Sequence, residues 1–152
     1  MKFLADVMLG KLARELRMLG YDTLYYRGQD PHELIQIARQ QERLILTRNI
    51  RLTPKTKEDH VVQITEDDPV LQLKGLRRLG IITLNEETLF SRCLLCNSLL
   101  NEITREEAEG RVPDFIFNQQ KEFYRCSQCS HIYWPGSHQE RMQKRLKEFF
   151  QT

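Results

Sequence analysis

No stretch of this chain stays apolar for long. Lys2, Asp6, Lys11, Arg14, Glu15 and Arg17 interrupt the first twenty positions, so the sequence offers neither a signal-peptide core nor a bilayer span, and a cytoplasmic protein without a membrane partner is expected. A large excess of one charge is missing too. Lys plus Arg number 23 against 21 for Asp plus Glu, a formal net charge of +2, which is far too small to mark a nucleic-acid binder by itself, so any basic surface must be local. There is no internal repeat and no low-complexity segment, and 40% hydrophobic residues in 152 exclude a disordered chain. One compact domain, or a small domain with an appendage, fits that length.

Nor is any cysteine left over. All four fall in two Cys-x-x-Cys pairs, Cys93/Cys96 and Cys126/Cys129. In a reducing compartment, two such pairs point to one tetrahedral zinc site of four soft thiolates rather than to two disulfides. Four thiolates leave no open position for water, so this zinc is structural and a zinc-dependent hydrolase is rejected.

The N-terminal part alternates short apolar runs with helical periodicity, the pattern of a parallel sheet with crossover helices. Phe3 to Ala5 form a first strand that stops at Asp6. Leu9, Leu12, Ala13, Leu16 and Leu19 then recur at helical spacing up to Gly20. Thr23 to Tyr26 form a second strand, followed by Asp30 as N-cap, Pro31 at the first helical position and Glu33 three residues past the cap. Leu44 to Thr47 read as a buried strand ending in Arg48-Asn49. Val61 to Ile64 read as a fourth, leading through Asp67-Asp68-Pro69 into a helix closed by Gly80. Ile81 to Leu84 are expected to form a fifth.

Residues just past the ends of parallel strands share one sheet edge. Asp6, Asp30 or Glu33, Asn49, and Asp67 or Asp68 are therefore expected to face one crevice. Carboxylates gathered there suit a hard divalent ion, magnesium or manganese, and metal-assisted phosphodiester hydrolysis. Lys11, Arg14 and Arg17 on the first helix, with Arg48 beside the crevice, are candidates for holding RNA phosphates. The competing reading is plain: Asp30 and Asp68, each followed by proline, are natural helix caps, and the three basic residues are the natural solvated face of an amphipathic helix.

From Phe90 onward the chain reads as a second module, with domains expected at 1–88 and 89–152. Each cysteine pair sits at a predicted hairpin turn, as in a zinc ribbon. Tyr133 and Trp134 are expected to pack over the knuckle rather than stack on bases, and His131 and His138 to lie outside the ligand set. Ser137 and Glu140 form a capping box for a last helix whose stripe of Met142, Leu146, Phe149 and Phe150 is expected to pack on the N-terminal domain.

Two segments, Phe3-Leu4-Ala5-Asp6-Val7-Met8-Leu9-Gly10-Lys11-Leu12-Ala13-Arg14 and Leu16-Arg17-Met18-Leu19-Gly20-Tyr21-Asp22-Thr23, resemble the opening of the Mutator-seven C-terminal RNase family. Leu44-Ile45-Leu46-Thr47-Arg48 resembles that family's second signature. Arg92-Cys93-Leu94-Leu95-Cys96-Asn97 resembles its first knuckle, and Cys126 to Cys129 with Tyr133-Trp134-Pro135-Gly136-Ser137-His138 its second. The resemblance spans nearly the whole chain. It implies a PIN-like α/β domain followed by a zinc ribbon, and a metal-dependent ribonuclease acting on RNA, structured RNA included. It also implies that Asp6 is the first acid, that Asp30 and Glu33 lie in the segment supplying the second, and that Arg48 is the basic residue of the Thr-Arg signature. Where the family usually carries aspartate, this sequence has Asn49, which offers a carbonyl oxygen but no negative charge. The alternative is accordingly a catalytically silent adaptor that binds RNA or protein.

Overall fold

The computed structural model describes residues 1–54, 56–57 and 59–151. Four parallel strands, β1 (Lys2–Ala5), β2 (Asp22–Tyr25), β3 (Leu44–Thr47) and β4 (Val61–Gln63), lie in the order β2-β1-β3-β4. Three antiparallel strands, β5 (Leu100–Ile103), β6 (Phe123–Cys126) and β7 (Ile132–Tyr133), make a separate small sheet. A parallel α/β sheet joined to a four-cysteine ribbon and a C-terminal helix is thus the architecture, as the sequence pattern predicts.

Side chains along a strand alternate between faces, and the core divides accordingly. Phe3, Ala5 and Leu46 point to one face, where α1 (Gly10–Met18) and α3 (Pro69–Arg78) supply Leu12, Leu16, Leu73 and Leu76. Leu4 and Ile45, the intervening residues, point to the other, covered by Leu34, Ile35 and Ala38 of α2 (Pro31–Gln41). The first core is closed by the last helix, α6 (Ser137–Gln151): Leu146 is 2% exposed within it, with Phe149 and Phe150 packed alongside. The apolar stripe of the tail therefore does pack on the N-terminal part. A bidentate Arg145–Glu15 pair, 3.0 and 2.9 Å, ties α6 to α1.

Three expectations need correction. Ile81 to Leu84 make no strand. Ile82 is buried, but the backbone of Thr83 bonds to the Tyr21 hydroxyl, N–H donating at 2.8 Å and carbonyl accepting at 3.0 Å, so a side chain replaces a neighbouring strand. Ser137 is already the first residue of α6, with the Gly136 carbonyl accepting from the Glu140 N–H, so it does not stand outside the helix as a cap. Arg17 is not on the solvated face of α1; it is 8% exposed.

What Arg17 does instead is join the two parts. It donates to the carbonyls of Thr23 and Leu94, both at 2.9 Å. Asn97, at φ +73° just after the first cysteine pair, accepts from the Thr23 N–H at 2.9 Å and donates to Asp22 at 2.7 Å. Gly20 makes the close fit possible: it has φ +92°, and a Cβ there would lie 2.4 Å from the Thr88 carbonyl oxygen.

Candidate active site and thiolate centre

The chain leaves β1 toward one side of the sheet and β3 toward the other, so the carboxyl ends of these adjacent strands open onto a crevice, the usual ligand position in open α/β sheets. Asp6 stands at the end of β1. Its backbone N–H bonds to the Leu46 carbonyl at 3.0 Å, and one carboxylate oxygen caps the 3₁₀ turn Val7–Leu9 by accepting from Met8 N–H at 3.1 Å. The other oxygen accepts from the hydroxyl of Thr47, a fully buried residue at the end of β3. The same hydroxyl accepts from the Asn49 N–H at 3.0 Å. Thr47 therefore fixes the acid of one strand relative to the amide residue of the next.

Asp6, Asp30 and Asn49 line one cavity of about 430 Å³, together with Met8, Tyr26 and Leu52 among others. Glu33 reaches it indirectly, accepting from the Tyr26 hydroxyl at 2.6 Å. That bond, more than burial, keeps the proton on Tyr26 and raises its pKa above the ordinary tyrosine value. Gly28 permits the arrangement, since a Cβ there would lie 2.4 Å from the Tyr26 oxygen.

Several of these acids also serve local roles. Asp30 also caps α2, accepting from His32 N–H at 2.9 Å, and Asp68 caps α3, accepting from Val70 N–H at 2.7 Å. Asp67 is 88% exposed and pairs with Arg48, whose own side chain is 26% exposed. Neither Asp67 nor Asp68 lines the cavity. Lys11 and Arg14 are exposed on α1. Three residues escaped the sequence reading: Thr47, Tyr26 and Arg27, the last exposed beside the cavity with its guanidinium 5.5 Å from the centre of the Tyr25 ring. Thr47 lay inside a motif already singled out, and its position two residues before Asn49 was the available signal.

Among the described residues no three acids converge. Among the described residues, the cluster of metal-ligating side chains is that of Cys93, Cys96, Cys126 and Cys129, whose sulfurs all lie within 4.8 Å of one another and could hold a metal. The two knuckles repeat one geometry. The Cys93 carbonyl accepts from Asn97 N–H at 2.9 Å, and the Cys126 carbonyl from Ser130 N–H at 3.1 Å. Asn97 and Ser130 both adopt positive φ, 73° and 62°, to turn the chain after the second cysteine. Tyr133 packs over the first knuckle, its hydroxyl 3.1 Å from the Cys93 sulfur and accepting from Leu94 N–H at 3.1 Å. Burial and that sulfur together raise its pKa. Trp134 packs against the ribbon's own core of Ala108, Val112, Phe123 and Ile132.

A parallel α/β sheet with an acid-bearing crevice at its carboxyl edge, joined to a ribbon with a four-cysteine cluster able to hold a metal, defines the class of α/β protein to which the chain conforms. The model of the Mut7-C RNAse domain family matches residues 1–146, and the chain belongs to that family. Comparison with curated proteins and with solved structures finds no match. The family points to a ribonuclease-like function with RNA as substrate or partner, and no helix among the described residues is long and apolar enough to cross a membrane.

Proposed function

We propose that this chain is a metal-dependent ribonuclease whose reaction pocket is built on Asp6, and that the ribbon is held by a structural zinc. The observation that carries the first part is the Thr47 bridge, because a half-buried carboxylate locked between two strand ends and facing a cavity shared with Asp30 and Asn49 is more than a cap.

The donor set fits magnesium or manganese. Such ions are commonly held by one or two carboxylates with water and substrate phosphate completing the shell, so Asp6 and Asp30, assisted by the Asn49 carbonyl, suffice without a third acid. The chemistry the ion supplies is activation of water and neutralisation of charge on the phosphate. Within the protein, Thr47 orients Asp6, and Tyr26 with Glu33 fixes the far wall of the cavity. Arg48 offers a guanidinium to a phosphate, in exchange for its exposed pairing with Asp67. Lys11 and Arg14 extend the basic surface along α1, whereas Arg17 is committed to holding the ribbon.

The four sulfurs fit zinc. At the usual zinc–sulfur distance of about 2.3 Å, tetrahedral ligands stand roughly 3.8 Å apart; the Cys93–Cys129 separation is 3.6 Å, and the Cys96–Cys126 separation, 3.0 Å, would widen to seat the ion. Cytoplasmic residence agrees with cysteines in the thiol form.

The test is cleavage of single-stranded and structured RNAs with manganese. We expect activity that is lost with EDTA and restored by manganese, and a loss of at least about a hundredfold in Asp6→Asn. Cleavage that survives both treatments overturns the mechanism. One observation favours a second reading: Asn49 puts a neutral amide where a carboxylate would complete the site. Salt-sensitive RNA binding without turnover, with cleavage appearing only in Asn49→Asp, would identify a silent adaptor instead.

A further inference from the structure

Of the nine large apolar side chains exposed among the described residues, Val7 and Met8 line the reaction pocket and Ile50 adjoins it through Asn49. Met8 is 66% exposed, Val7 44% and Ile50 81%. Each directly follows a pocket residue, Val7 and Met8 after Asp6 and Ile50 after Asn49. None of the three is required by the caps that shape these turns, because the bonds there are made by backbone N–H groups and by the side chains of Asp6 and Asn49. Grouped apolar exposure at a polar-rimmed opening marks a surface that is covered in use.

We propose that this pocket is a subsite for the base of one unpaired ribonucleotide. The proposal deepens the ribonuclease reading above and rests on the pocket being an RNA site, but not on turnover. The walls suit a flat, amphipathic group. Met8, Leu52 and the Tyr26 ring supply apolar contact, while Asn49 and Asp30 place polar atoms at the margin. The volume of about 430 Å³ falls in the range of small-ligand sites. Exposed cations stand next to pocket residues: Arg27 lies between Tyr26 and Gly28, and Arg51, whose backbone N–H bonds to the Asn49 side chain, follows Ile50. Charge of that sign fits a nucleotide better than a purely apolar peptide. A base held in an A-form duplex keeps its faces stacked and out of reach, whereas an unpaired base can be splayed against aromatic or apolar side chains. Methionine adapts to any of the four bases, so the subsite selects for unpaired structure more than for sequence.

The experiment uses the full chain without added magnesium or manganese, so that binding is read apart from cleavage. A short oligoadenylate carrying 2-aminopurine at successive positions reports contact with one base through its fluorescence, and the same strand annealed to its complement is the comparison. We expect an emission change confined to one position of the single strand, binding of the duplex at least tenfold weaker, and roughly tenfold weaker single-strand binding in the Met8→Ser, Ile50→Ser double variant. Both changes are at exposed sites, and an unchanged circular dichroism spectrum and melting temperature would confirm folding. Equal binding of duplex and single strand, or a double variant that binds like the parent, overturns the subsite. If the parent cleaves RNA with manganese while the double variant matches it in binding and rate, the subsite alone fails. If the parent binds no RNA at all, the ribonuclease reading fails with it.

Discussion

The thiolate centre and the acid pocket are built by opposite rules. In the ribbon, each ligand pair is written into a four-residue turn, and the two turns share the same backbone bonds and the same positive-φ residue after the second cysteine. All four sulfurs gather within 4.8 Å of one another. In the pocket, the two carboxylates come from different connections, and each has a local bond of its own: Asp6 to Met8 and Asp30 to His32. The four sulfurs are close enough together to hold a metal. The open pocket leaves room for a substrate, and its acids double as structural caps. A motif's spacing therefore encodes a local thiolate cluster well and a pocket assembled from separate connections poorly.

The strongest way to break this contrast is to strip the metal. Structural zinc contributes about 10–16 kcal/mol in small zinc-finger peptides, so chelation under reducing conditions, or Cys93→Ser, should abolish hydrogen-exchange protection in β6 and β7. Retained protection there would show that the thiolates are not the staple. Next in size is the shared core. Leu146→Ala should cost about 2–5 kcal/mol of stability in denaturant melts, and a fragment ending at residue 88 should not fold alone, because α6 fills its core. If that fragment does fold cooperatively, 1–88 and 89–152 are independent units.

The junction is the third lever. Asn97→Ala removes partners from both the Thr23 N–H and the Asp22 carboxylate, and should destabilise by about 1–3 kcal/mol. A fourth measurement sharpens it. Burial works against the charge on Asp22, but hydrogen bonds from Arg43 and Asn97 outweigh it and hold the carboxyl below the usual range. Its stabilisation is thus complete above an ordinary aspartate pKa of about 3.9 and is lost as pH falls through the lower folded value. The acid limb of a melting-temperature profile should flatten in Asn97→Ala. The smallest effect belongs to Asp67→Asn. Releasing Arg48 from this exposed pair should tighten RNA binding by about twofold at low salt, with no change in melting temperature.

How much could be read in advance follows the same division. Strand β3 was legible to the residue, since Leu44 to Thr47 is a continuous apolar run that stops at charge. The thiolate ligands were legible because their chemistry is contained in two short turns. Arg17 was not, because its periodicity places it on α1 but only the tertiary position of the Leu94 carbonyl determines what it bonds. Ile81 to Leu84 misled for the reverse reason: the run is apolar because Ile82 enters the core, yet the Tyr21 hydroxyl takes the place of a strand partner. The pocket residues were legible singly, and their number in one cavity was not, since three of seven line it and nothing in the local pattern distinguishes Asp30 from Asp68.

The bonds from Asn97 and Arg17 to the two backbone groups of Thr23 bear on the company this protein can keep. β2 is a terminal strand of its sheet, and such strands ordinarily offer a template for extended peptides or for self-association. With the N–H of Thr23 already bonded to Asn97 of the first knuckle and its carbonyl to Arg17 of α1, that flank cannot accept another strand in register. Losing the knuckle would therefore cost more than a docking contact: it would free the Thr23 N–H and leave that strand margin open to edge-to-edge association.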